Sequence, residues 1–435
     1  MKTAGSRFTI AVVAAATVVG MSACSSGSSG SAGAGGAGKT QISLLIDSSD
    51  STVKTADAVI KAFEKANPTI TVKTVTRPGG ADGDNLVKTK LATGDMQDVF
   101  WYNSGSLLQA LSPAKNLVDL TGDAVLNDTD PSFLPAVTQA GKVYGAPQGT
   151  AMGGGILYNR EVYAKLGLQV PKSWAEFEAN NDKIKAAGIT PVISSFKDTW
   201  TSQLMVLGDY YNVAKANPKF ADDYTANKVK YASDPAALRG FEKLAEINQK
   251  GWQNKGFGSM TFAQGMVYLV AGKGAQYPLL TFPVGTLPKE QANKIGFFGI
   301  PGDDASAAGA TLWLPGGQYI PKTSKNIDAA KKFIAFVASK PGVDAASSAV
   351  PPTGPYLIKG GGLPSDVLPV VKDIQAYIQG GNNAPALEFV SPVKGPSLEQ
   401  ITVAVGSGQT SPKDGAAQYD ADVTKQAKQL GLPGW

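Results

Sequence analysis

The residues able to do chemistry in this chain are poorly assorted for catalysis. Among 435 residues there is no histidine and one cysteine, Cys24. A His-dependent triad, a His-ligated zinc and a His general base are therefore excluded. Carboxylate chemistry survives. Glycoside hydrolysis needs only two acidic groups, about 5 to 9.5 Å apart across the scissile bond. Asp198 and Glu388 supply such groups, but no motif in the sequence asserts that spacing. The other chemistry open to the chain is recognition without reaction. Trp, Tyr and Phe offer flat apolar faces at low entropic cost, while Asp, Asn and Gln supply directional hydrogen bonds. Together they suit a sugar, whose ring carries C–H patches and many hydroxyls.

Cys24 sits where a secretion signal should end. Lys2 and Arg7 precede an uncharged apolar run from Phe8 to Gly20, then Met21-Ser22-Ala23. The run is shorter than the roughly 20 apolar residues that span a bilayer, and its flanks are those of a signal peptide. The junction resembles the lipobox of bacterial lipoproteins, with Met21 in place of the usual leucine. That resemblance implies a lipid on Cys24; plain secretion with a free thiol is the alternative. Ser25 to Gly38 contains only Ser, Gly and Ala, a flexible tether with a reach of roughly 20 Å.

The formal net charge of +5 is mild and spread along the chain, so nothing points to nucleic acid. The length suffices for two domains with their own cores. Gln41 to Ile46 reads as a buried strand, Val53 to Ala66 as a helix with Ala56, Val59, Ile60 and Phe63 on one face, and Asn67-Pro68 as its stop. A strand at Ile70 to Thr76, a helix at Asp84 to Thr93 and a strand at Asp98 to Tyr102 follow. This alternation predicts an α/β fold with a parallel, helix-covered sheet, whose ligands bind beyond the carboxyl ends of the strands. Further helices are expected at Pro235 to Gln249, Asn326 to Ser339, Ser365 to Gln379, Ser397 to Val405 and Pro412 to Leu430. Ser173 and Glu176 have the spacing of a capping box. Trp174, Trp252 and Tyr277 read as core residues.

Several ordered blocks carry a family likeness. They are Phe63-Glu64-Lys65-Ala66-Asn67-Pro68, Leu91 to Asp95 before Asp98-Val99-Phe100, Lys142 to Pro147, Leu157-Tyr158-Asn159, Pro171 to Phe177, Gly272 to Ala275, and Ser324-Lys325-Asn326 with Ala329, Ala330 and Phe333. From Gln41 to Gly431 the chain thereby resembles the extracellular solute-binding proteins of bacterial ABC importers, the family typified by maltose-binding protein. Gln276 stands where that family usually has methionine, and Phe282 where tryptophan is frequent.

The resemblance implies a two-lobed periplasmic-binding-protein-like fold, each lobe a helix-covered β-sheet, with the ligand cleft between them. By analogy, 41–141 and 300–323 form the first lobe and 142–299 and 324–435 the second, with crossings near Gly141, Gly299 and Ser324; 1–23 is the signal and 24–40 the lipidated tether. It implies a monomer without cofactor or catalysis, held to the outer face of the cytoplasmic membrane, that captures a di- or oligosaccharide and delivers it to the permease subunits. Candidate ligand contacts are Asp47, Trp101, Asn103, Ser104, Gln148, Asp198, Trp200, Phe282, Trp313, Gly316 and Gly317. A polyol phosphate, peptide or polyamine in the same transport role, or an exported carboxylate enzyme, remain as alternatives. Arg77 would serve an anionic group, although Gly79-Gly80 beside it suits an ordinary turn equally well.

Overall fold

The computed structural model describes residues 39–363 and 365–435; the signal segment, Cys24 and most of the tether lie outside them. The fold is organised by β1 (Thr40–Asp47), which buries both faces: Ile42, Leu44 and Ile46 enter one core and Leu45 another. Burial on both sides is what a parallel strand under helices requires. β1 pairs along its whole length with β2 (Ile70–Arg77), from Thr40 opposite Ile70 to Asp47 opposite Arg77, and with β3 (Val99–Tyr102) on its other edge. Between these strands, α1 (Asp50–Ala66) covers the sheet with Ala56, Val59 and Phe63, and α2 (Gly80–Thr93) with Val87 and Leu91.

Local chemistry sets the ends of these elements. Asn67 closes α1 by donating its backbone N–H to the Phe63 carbonyl at 2.8 Å. Gly94 ends α2 in the left-handed conformation, φ +76°, with its amide directed to Leu91, the usual glycine stop. Asp98 explains why two distant sequence blocks occur together. Its carboxylate accepts from the Ser43 amide and hydroxyl and from Ser324 and Asn326, at 2.8 to 3.1 Å, joining β1 to the segment before the helix Ile327–Val337.

Two sheets result. The first runs β2, β1, β3, Gly316–Tyr319, Ala146–Gln148, the last two strands antiparallel to their neighbours. The second runs Asn383–Pro385, Ala310–Trp313, Met152–Asn159, Gly274–Leu280, Thr190–Val192, with Ile295–Phe298 also pairing Met152–Asn159. The chain therefore changes sheet between Gln148 and Met152, not near Gly141, and between Trp313 and Gly316, not near Gly299. Residues 324–349 also depart from the expected division. Phe333 and Phe336 meet Phe63 of α1 at centroid distances of 5.1 and 5.6 Å, and the helix Lys340–Ala349 packs on α1 as well. The third crossing comes later, before the helix Pro369–Gln379 that covers the second sheet. Strand pairing and this aromatic contact decide membership, and neither is visible in local sequence.

Other expectations meet the structure with small differences. The helix Pro235–Gln249 has the expected bounds, whereas that expected from Ser365 begins at Pro369. The capping box is half formed: Ser173 accepts the Glu176 amide at 3.3 Å, but the Glu176 carboxylate takes the amide of Lys172 instead of Ser173. Trp174, Trp252 and Tyr277 are buried, as expected. The short helices Leu204–Gly208, Tyr210–Ala216 and Phe220–Thr225 were not expected; the first is buried all round and so shows no one-sided period, and the other two, of seven and six residues, are too short to establish one.

An ion pair is enclosed in the second lobe's core. Lys243 and Asp209, both 1% exposed, lie 2.6 Å apart. The Lys243 ammonium also donates to the Pro301 carbonyl, and Asn212 donates to Asp209. Burial pushes the Asp209 carboxyl up and the lysine opposes this. Replacing Lys243 with Ala strands a buried carboxylate and should cost about 3–5 kcal/mol. The double replacement Lys243→Met with Asp209→Leu should recover most of that loss in urea denaturation.

Candidate functional site

The three crossings run side by side and are clipped together. The Ala151 amide donates to the Pro355 carbonyl at 2.8 Å. The buried Thr281 hydroxyl donates to the Thr353 carbonyl at 3.0 Å and accepts the Gly153 amide at 3.2 Å. The Ser104 hydroxyl donates to the Pro315 carbonyl at 2.8 Å. These bonds fix the base of an interlobe cleft, and the loops at the carboxyl ends of the first-sheet strands open onto it.

On the second lobe an aromatic group faces the first. Trp200, in the turn Thr199–Thr201, lies 5.3 Å from Phe262 and 6.2 Å from Phe282, while the two phenyl rings stack at 5.8 Å. All three are half-buried. Phe262 opens the helix Phe262–Val270, where Thr261 and Gln264 form a complete capping box. Asp198 fixes the group by accepting the Phe262 amide at 2.6 Å. Across the cleft stands Gly80, the first residue of α2. At φ +63° it presents bare backbone to the indole, and a Cβ there would reach to within 4.0 Å of Trp200. The turn Phe282–Thr286 likewise approaches α1.

One turn beyond Gly80, Asp84 begins a polar wall. The Arg77 guanidinium lies against Gly83 under the first turn of α2 and 5.3 Å from the centre of the Tyr102 ring. Burial raises the Asp84 carboxyl above the usual range; the Tyr102 hydroxyl and the cations Arg77, Lys394 and Lys88 oppose this. Lys394, from the second lobe, pairs with Glu388 at 3.2 Å. Glu388 belongs to the short helix Leu387–Val390, which packs against the turn Ser106–Gln109, and Gly105 leaves no room for a Cβ beneath its carbonyl.

The structure sorts the expected contacts. Asp198, Trp200 and Phe282 come together on the second lobe. Asp47 is engaged locally, accepting from the Ser49 amide and the Thr52 hydroxyl, both at 2.9 Å, where β1 turns into α1. Asn103 is exposed, its carbonyl accepting from Tyr319. Ser104, Gln148, Gly316 and Gly317 gather at the second crossing, where Gln148 pairs with Gly316 and the Tyr319 hydroxyl fills the space beside Gly317. Trp101 does not stand on a platform: it is 3% exposed within the first lobe's core, because inward alternation along β3 turns it there. Trp313 is likewise in the second lobe's core, its ring lying over Gly154. Gln276 is structural, bonded to Tyr163, Asn181 and the Pro191 carbonyl.

Phe262, Asp84 and Lys394 escaped sequence reasoning. Phe262 belongs to a helix start with no strand before it. Asp84 and Lys394 become neighbours only when the lobes meet. The two carboxylates considered for hydrolysis already hold partners of the chain, Asp198 an amide and Glu388 an ammonium. An open depression of about 940 Å³ lies elsewhere, lined by Asp209, Arg239, Lys243 and neighbours of the second lobe alone, so it does not bridge the lobes.

Comparison with known proteins agrees with this architecture. The multiple sugar-binding protein of Streptococcus mutans is 26% identical over 303 residues, spanning 67% of this chain and 68% of the relative. A chitin oligosaccharide binding protein superposes with a TM-score of 0.77 at 22% identity, covering 90% of this chain and 99% of its own. A raffinose complex of the solute-binding protein RafE gives a TM-score of 0.73 at 23% identity, covering 90% and 100%. These likenesses show a shared two-lobed fold. The sequence profile of bacterial extracellular solute-binding proteins matches residues 48–344, and the chain belongs to that family.

Proposed function

We propose that this protein is the substrate-binding lipoprotein of an ABC importer, capturing a di- or oligosaccharide between its lobes and passing it to the permease subunits as a monomer. The observation that carries the reading is the group Trp200, Phe262 and Phe282, half-buried on one lobe and facing bare backbone of the other. Aromatic faces of this kind match the C–H faces of sugar rings. The sugar-binding relative and the raffinose- and chitin-oligosaccharide-binding neighbours support the same ligand class.

The mechanism follows from the crossings. A ligand touching both lobes binds the closed form better than the open one and shifts the balance toward closure. Closure converts binding into a shape that the permease reads, and no bond of the ligand is made or broken. Lipid on Cys24 keeps the protein beside the membrane, and the tether from Ser25 to Gly38 lets it reach.

Three measurements test this reading. Titration calorimetry on Trp200→Ala, with a saccharide identified by thermal shift, should show affinity lower by more than tenfold, or about 2 kcal/mol, with the fold retained; unchanged affinity removes Trp200 from the site. Small-angle scattering should give a smaller radius of gyration with saturating saccharide, and identical curves would contradict closure. Replacing Cys24 with Ala should move the protein from the membrane fraction to the medium, or leave an uncleaved precursor; an unaltered membrane lipoprotein would remove the anchor from the proposal.

A further inference from the structure

The lobes touch through backbone as well as through side chains, and at two places a missing side chain allows the contact. Gly285 lies in the turn Phe282–Thr286 of the second lobe, which also carries the Phe282 ring of the aromatic group. A Cβ on Gly285 would stand 2.7 Å from the Pro351 carbonyl oxygen, 3.0 Å from the Thr353 Cγ2 and 3.3 Å from the Val350 Cγ1. Those atoms belong to the stretch that leaves the helix Lys340–Ala349 and returns to the first lobe's core at Tyr356 and Ile358. Beside this seat the Thr281 hydroxyl donates to the Thr353 carbonyl at 3.0 Å, and the same turn meets α1. Gly105 is the counterpart on the first lobe: a Cβ there would run into the Glu388 carbonyl and come within 2.9 Å of the Phe389 ring, both of the second lobe. The two glycines differ in their backbone. Gly105 has φ +68°, where a side chain is strained in any surroundings, whereas Gly285 lies outside the left-handed region. Alanine therefore suits the turn of Gly285, and only the approach of the first lobe excludes it.

We infer that Gly285 is a positioning residue for closure: by carrying no side chain it lets the turn that bears Phe282 seat on Pro351 and Thr353, and so sets how far the lobes shut. The inference rests on the interlobe capture proposed above and names a residue that governs it through the contact between lobes. One short turn carries an aromatic ring toward the solute and a bare backbone toward the other lobe. A solute pressed on Phe282 and the seat at Gly285 therefore favour the same arrangement, which is the condition for binding to shift the balance between open and closed forms. The nearest atom to an added methyl is a backbone carbonyl oxygen, which cannot swing aside as the end of a long side chain can. In a close-packed contact such added bulk is relieved only by moving the packed elements apart. Here those elements belong to different lobes, so the relief is a wider cleft and a smaller closed population.

The test uses residues 24–435 with Cys24→Ala, so that Lys61→Cys on α1 and Lys183→Cys on the helix Trp174–Ala186, both exposed, supply the only thiols for spin labels. Pulsed electron–electron resonance reads the distance between the lobes, without ligand and with the tightest binder among raffinose, chitotriose, maltotriose and xylotriose. In this parent the saccharide should raise the short-distance population. Gly285→Ala, with an unchanged melting profile, should hold most molecules at the longer distance and bind the saccharide at least tenfold more weakly. Gly258→Ala, at a position of the same lobe where a Cβ meets nothing within 4 Å, should behave as the parent. Parent-like distances and affinity in Gly285→Ala would overturn the inference, and so would early melting, which would place the clash inside its own lobe. If no saccharide binds the parent, the carbohydrate reading falls by itself. The short-distance population of the unliganded protein then decides the present inference: kept in Gly258→Ala and lost in Gly285→Ala it supports the seat, and kept in both it removes it.

Discussion

Everything functional in this fold depends on three chain crossings held edge to edge. Thr281 is the centre of that arrangement, its hydroxyl giving a hydrogen bond to Thr353 and taking one from Gly153, while its amide donates to the Gly153 carbonyl. A fully buried hydroxyl with both capacities used is costly to displace. The base of the cleft is therefore held by hydrogen bonds where the chain passes between lobes, and on the proposed reading the lobes close about the short segments Gly149–Thr150 and Leu314 beside them. Closure about such a base, as proposed, would be of the hinge type, in which each lobe moves with its interior unchanged.

The aromatic group is a positioned object, not a chance patch. Asp198 holds the first amide of the Phe262 helix, Thr199 donates to Glu399 at 2.7 Å, and Thr261 and Gln264 cap the helix start. These bonds set three rings from three separate segments into one surface before any ligand arrives. Preorganisation of this kind lowers the ordering cost of binding. The same bonds engage Asp198, one of the two carboxylates that sequence alone leaves available for catalysis.

Charge is handled differently at the two buried pairs. Lys243 and Asp209 lie within one lobe and serve its core, where the pair is worth keeping chiefly because losing one partner is so unfavourable. Glu388 and Lys394 also belong to one lobe, but they lie 3.2 Å apart in a segment whose short helix packs against the turn Ser106–Gln109 of the other.

Much of this was legible in the sequence because the signals are local. The apolar run of β1, the spacing of Ala56, Val59 and Phe63, and the stop at Asn67-Pro68 depend on periodicity and on the backbone limits of proline, which act over a few residues. Absence of histidine settled which catalytic devices were out of reach. Ordered blocks such as Leu157-Tyr158-Asn159 and Ser324-Lys325-Asn326 pointed to the family, and their chemistry is now plain: Asn159 caps the following helix and holds the Leu269 carbonyl, while Ser324 and Asn326 bind Asp98. What only the tertiary structure decided was the side of the sheet on which an aromatic falls and the partner each charge finds. Trp101 and Trp313 share the residue type of Trp200, yet strand alternation and a facing glycine send them into the cores. Phe262, Asp84 and Lys394 join the cleft because two lobes bring together residues more than a hundred positions apart in the chain, a long-range outcome that no local period encodes.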